Sequence, residues 1–95
     1  MITSKQRSAL RAMANDMQPI FQLGKGGITE NFIKQVDEAL EARELIKITI
    51  LRNSDSDARS ACDELCAALG AEPVQSIGNK FVLYRASTKN PVIEL

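Results

Sequence analysis

Apolar and polar residues alternate along this chain with two periods, and the switches between them mark its elements. Thr3 and Gln6 have the spacing of a capping box, and Leu10, Met13, Ala14 and Met17 then recur at helical intervals, predicting a first helix that ends in the turn near residues 15–19. Pro19 to Leu23 is a short apolar run that stops at Gly24, as a buried strand does. Thr29 can cap a second helix with Phe32, Ile33, Val36, Ala39 and Leu40 on its buried stripe and Lys34, Asp37, Glu38 and Glu41 toward solvent. Leu45 to Leu51 reads as a strand, with Ile46, Ile48 and Ile50 on one face and Leu45 and Leu51 on the other, so both faces are expected to be covered.

The polar loop Asn53 to Asp57 offers cap residues for a third helix, which buries Cys62, Leu65, Cys66 and Leu69 and ends at Gly70. Val74 to Ile77 and Phe81 to Tyr84 flank Gly78 and Asn79, a pair that tolerates positive φ and makes a hairpin turn. Tyr84, in an apolar strand, is expected in the core rather than stacked on a ligand. The order α-β-α-β-α-β-β predicts one layered α/β domain over residues 1–95, with helices packed on a four-stranded mixed sheet containing a parallel pair and a final hairpin. Residues 87–95 carry few anchors and are expected to form a loose tail, although Val92, Ile93 and Leu95 could dock.

Composition narrows the chemistry. The 95 residues hold no histidine and only Cys62 and Cys66, which share one helix face with Leu65 and Leu69 and read as buried thiols. Two cysteines without histidine cannot complete a soft metal site, so neither metal nor cofactor is expected. Ser4, Ser8 and Thr29 have no evident activating partner, which argues against an enzyme. There is no signal-like apolar stretch and no run long enough to cross a bilayer, so a cytoplasmic, non-membrane protein with reduced cysteines is expected, as a monomer.

The formal net charge is zero, but its distribution is uneven. Residues 1–29 carry Lys5, Arg7, Arg11 and Lys25 against Asp16, and residues 80–95 carry Lys80, Arg85 and Lys89 against Glu94, leaving residues 30–79 acidic. If the two terminal segments fold to one side, a neutral chain presents a basic surface and an acidic flank.

Between the first strand and the second helix stands Leu23-Gly24-Lys25-Gly26-Gly27-Ile28-Thr29. Glycines free the backbone to approach a ligand, and loop N–H groups at a helix start suit an anion such as phosphate, with Lys25 adding charge. A tight turn with no ligand accounts for the loop equally well. The nucleotide P-loop and the dinucleotide GxGxxG patterns are both absent; what remains is GxxG, Gly24 to Gly27, the spacing that clamps a nucleic-acid backbone in KH domains.

With Thr3-Ser4-Lys5-Gln6-Arg7, Leu10 and Ala14, the glycine loop, Glu44-Leu45-Ile46-Lys47-Ile48, Gln75-Ser76-Ile77-Gly78 and Phe81-Val82-Leu83-Tyr84-Arg85, nearly the whole chain resembles the bacterial single-domain CRM (chloroplast RNA splicing and ribosome maturation) proteins of the YhbY type. The resemblance implies a fold related to the C-terminal domain of translation initiation factor three. It also implies RNA binding in assembly of the large ribosomal subunit, on its precursor rRNA; ribosomal proteins are a further candidate partner. It carries RNA-contact roles to Gly24, Lys25, Gly26 and Gly27 in the loop, to Lys5, Arg7 and Arg11 on the first helix, and to Lys80 and Arg85 around the last strand. The neutral net charge departs from the more basic balance expected of such a family. Two other readings stay open: a protein-binding module using the acidic face of Asp37, Glu38 and Glu41, and a small enzyme acting on a phosphorylated substrate.

Overall fold

The computed structural model describes residues 2–52, 54 and 57–93. Its elements follow the expected order: α1 (Ser4–Ala14), β1 (Phe21–Leu23), α2 (Glu30–Arg43), β2 (Leu45–Ile50), α3 (Ala58–Leu69), β3 (Glu72–Ile77) and β4 (Lys80–Tyr84). The strands form one mixed sheet ordered β1-β2-β4-β3, in which β1 runs parallel to β2 and the other pairings are antiparallel.

Local signals fix the helix ends. Thr3 and Gln6 make the reciprocal capping box of α1, Thr29 and Asp57 cap α2 and α3 through their side chains, and Gly70 closes α3 in the left-handed region. The exception is the end of α2, where Glu44 adopts φ 68 with no glycine to relieve it. Asn53, Asp55 and Ser56 of the predicted capping loop lie outside the described residues.

The sheet is covered on both faces, as the two-sided pattern of β2 required. Ile46, Ile48 and Ile50 pack with Phe81 and Leu83 of β4 against Val36 and Leu40 of α2 and Cys62 and Leu65 of α3. On the other face α1 lays Leu10 and Ala14 on Leu45, Val74, Val82 and Tyr84. Cys62, Cys66 and Tyr84 are core residues, as expected. Leu51 is not: the strand stops at Ile50, and Leu51 is exposed. Strand β1 begins at Phe21 rather than Pro19, while β3 starts at Glu72 and carries a bulge at Val74 between its pairs Pro73–Leu83 and Gln75–Val82.

Residues 87–93 are tied down, contrary to the expectation of a loose tail. Glu41 accepts hydrogen bonds from the Ser87 and Thr88 hydroxyls and from the N–H groups of Thr88 and Lys89. The fully buried Glu44 accepts the N–H groups of Ser87, Val92 and Ile93 at 2.7–2.8 Å. Ile93 then packs beside the α1 cluster. Burial would raise the Glu44 carboxyl, but these three donors outweigh it and hold the group below its usual value. Glu41 is thus engaged by the returning tail, whereas the helical pattern alone points it toward solvent.

Candidate nucleic-acid interface

Leu23 ends β1 and its carbonyl accepts the N–H of Leu51, after which the chain turns tightly, with Gly27 N–H donating to Gly24 O at 3.1 Å. Gly27 has φ 66, which favours glycine there. Gly26 has neither a positive φ nor any atom within 4 Å of where a Cβ would stand, so nothing inside the fold demands glycine at that position. Its missing side chain leaves open space on the outside of the turn. Lys25 is exposed at the tip, and α2 starts directly behind, capped by Thr29.

The β3–β4 turn emerges at the same end of the sheet. Ile50, the partner of Leu23, donates its N–H to Asn79 O, and Asn79 Nδ2 donates to Ile50 O, so the glycine loop and the Gly78–Asn79 turn both flank the end of β2. Exposed Lys80 follows that turn. It pairs with Thr49, and Val82 pairs with Lys47, so Lys47 and Lys80 share the face that α1 covers only in part. There they line a shallow recess of about 210 Å³ with Asn15, Gln75 and Ile77. Lys47 is absent from the candidates that the sequence suggests, although the period-two pattern of β2 places it and Thr49 on the face of Leu45, where a lysine signals incomplete cover.

Arg7 and Arg11, one turn apart on α1, reach the other edge of the sheet. Arg7 Nε–H donates to Pro73 O at 3.0 Å and Arg11 Nε–H to Val74 O at 3.3 Å. Both line a groove of about 740 Å³ along β3, whose opposite wall carries Arg59 from the first turn of α3. No local pattern draws attention to Arg59, since only the tertiary fold brings α3 to this edge. Lys5 is exposed on α1 and adds charge near its start.

Arg85 is placed elsewhere. Backbone bonding to Glu44 O puts it at the end of β4 remote from Lys80, and its guanidinium bonds to Asp37 and to Leu69 O, clamping α2 to the end of α3. The structure therefore brings Lys25 and Lys80 to one end of the sheet, sets Arg7 and Arg11 along the β3 edge, and places Arg85 at the end of β4 opposite Lys80 with its guanidinium on the layer of α2 and α3. Of the acidic face of α2, Asp37 and Glu41 are bonded internally, Asp37 with its side chain still half exposed, while Glu38 stays exposed.

A three-layer α/β domain with a glycine turn and exposed basic side chains at one end of its sheet defines a small binding domain. Residues 2–85 match the model of the CRS1 / YhbY (CRM) domain, and the chain belongs to that family. It is 48% identical over 95 residues to the Bacillus subtilis protein named "Probable RNA-binding protein YqeI", covering all of this chain and 99% of that one. It is 32% identical over 90 residues to the Pseudomonas aeruginosa protein named "Probable RNA-binding protein PA4753", covering 95% of this chain and 84% of that one. The solution structure of protein SAV1595 from Staphylococcus aureus superposes with a TM-score of 0.82 at 49% identity, covering 100% of this chain and 99% of that one.

Proposed function

We propose that this protein binds RNA without catalysing a reaction, and that it serves in the cytoplasm as a monomeric assembly factor on precursor rRNA of the large ribosomal subunit. The observation that carries the reading is the GKGG turn: an exposed Lys25 beside a Gly26 that the fold itself does not require, at the end of the sheet shared with Lys80. Loop N–H groups and the start of α2 receive phosphates, Lys25, Lys80 and Lys47 neutralise them, and Arg7, Arg11 and Lys5 extend the basic surface along α1. Arg85 supports this surface by holding the helices in place. Relatives named as RNA-binding proteins support the same reading. Two buried thiols and the absence of histidine leave little for acid–base or nucleophilic chemistry.

Sedimentation of tagged protein from cell lysate at low and moderate salt tests the proposal. Wild type is expected to travel with large-subunit precursors and to be released as salt rises, while folded Lys25→Glu stays at the top of the gradient. Equal cosedimentation of both proteins at both salts overturns the loop assignment.

A further inference from the structure

The groove along the outer edge of β3 lies between α1 on one face of the sheet and α3 on the other. Its volume, about 740 Å³, is within the range that ligand sites occupy. Arg7 and Arg11 each bond to β3 through Nε alone among the described residues, which fixes the guanidinium planes and leaves their Nη donors available. Arg59 is exposed on the facing wall, and Ile77, 64% exposed, sits where this groove meets the recess beside Lys80. The two hollows share Gln75 and Ile77, so the recess beside Lys47 and Lys80 and the β3 edge form one continuous track.

Building on the RNA-binding reading above, we infer that this edge groove receives a single-stranded RNA segment, with Arg7 and Arg11 on one wall and Arg59 on the other taking its phosphates and Ile77 meeting a base. Planar guanidinium groups held by their Nε atoms also offer faces on which unpaired bases stack. A single strand can turn both its phosphates and an unpaired base into the recess, whereas the bases of a duplex are already paired and stacked. A peptide adding as a further strand is disfavoured, because the outward carbonyls of Pro73 and Val74 are already bonded and Pro73 has no N–H. Two carboxylates also stand on the walls, Asp57, which caps α3 by accepting the N–H of Ser60 at 2.7 Å and is held in its charged form by that bond, and Asp63, so three guanidinium groups face two carboxylates.

Fluorescence anisotropy with a labelled single-stranded RNA of about 12 nucleotides, and with a duplex of the same sequence, tests the inference. Arg59→Gln alters only an exposed side chain and is expected to weaken single-strand binding about three- to tenfold and to lower the salt slope by about 0.7, one phosphate contact, with duplex binding unchanged. In wild type, the RNA is expected to shift the amide NMR signals of Gln75 and Ile77. If Lys25→Glu weakens binding while Arg59→Gln changes neither affinity nor slope, the groove is not a contact and the loop reading stands. Equal weakening of single-strand and duplex binding by Arg59→Gln overturns the choice of single strands. If wild type binds neither probe, the RNA reading falls and the groove with it.

Discussion

Arg85 holds Asp37 through both of its terminal nitrogens: Nη1 donates to Oδ1 at 2.6 Å and Nη2 to the main-chain oxygen at 3.0 Å. Nη1 also donates to Leu69 O at 3.2 Å, so one side chain ties β4 to both helices of that layer. The side chain is only 19% exposed, and removing it leaves the Leu69 and Asp37 oxygens to find other donors.

Arg85→Ala is therefore expected to cost about 1–3 kcal/mol of stability in urea unfolding. Arg85→Lys is expected to recover less than half, because an ammonium cannot reproduce the planar fork. Both variants, at temperatures where they are folded, are expected to bind RNA as wild type does. Loss of RNA binding with unchanged stability would return Arg85 to the interface.

Glu44 combines a strained backbone with an irreplaceable carboxylate, and two substitutions separate them. Glu44→Ala removes the acceptor of three N–H groups while keeping the unfavourable φ of 68, and is expected to cost about 2–4 kcal/mol. Glu44→Gly loses the same bonds but relieves the φ, so it is expected to be about 1 kcal/mol more stable than Glu44→Ala. Equal stabilities in chemical denaturation would show that the strain is negligible.

Acid is expected to loosen the tail where it bonds to Glu41. The Ser87 hydroxyl, followed by the donors on Thr88 and Lys89, lowers the Glu41 carboxyl from 4.5 to about 2 despite some opposing burial. A carboxyl depressed on folding stabilises the fold above its unfolded value, and that contribution disappears as pH falls toward the folded value. Amide protection of Thr88 and Lys89 is thus expected to hold at neutral pH and to decline between about 4.5 and about 2. In Glu41→Gln that protection should be lower at neutral pH and insensitive over the same interval.

The glycine loop separates folding from binding at adjacent positions. Gly27→Ala places a Cβ at φ 66 and is expected to cost about 1–2 kcal/mol. Gly26→Ala meets no atom of the protein and is expected to leave stability within about 0.5 kcal/mol of wild type. If RNA approaches the turn closely, Gly26→Ala still weakens RNA binding. Unaltered affinity in that variant would make the turn a bystander.

Features set by near neighbours along the chain are legible in the amino-acid sequence. Thr3 with Gln6, Thr29, Gly70 and Gly78-Asn79 mark their caps and turn because the chemistry of each operates within four residues. The alternation in Leu45–Ile50 reveals a sheet covered on two sides. What stays hidden depends on partners more than forty residues away: Arg85 with Asp37, Ser87 with Glu44, and Thr88 with Glu41. A carboxylate on an amphipathic helix looks solvated until the tail that returns to it is placed. Glu44 is doubly obscure, since a positive φ at a helix end is normally announced by glycine or asparagine. At the candidate site, Gly24 to Gly27 and Lys25 are recognisable from spacing, but the separation of Arg85 from Lys80 and the arrival of Arg59 opposite Arg7 are products of topology.

The bonds from Arg7 and Arg11 to Pro73 and Val74 have a consequence for a chain whose formal charge sums to zero. Such a molecule has no long-range repulsion to keep copies apart, and β3 is an outer strand of the sheet. Two side chains therefore do locally part of what net charge does elsewhere: they occupy the Pro73 and Val74 carbonyls, so that stretch of the open edge offers a second copy no free acceptors.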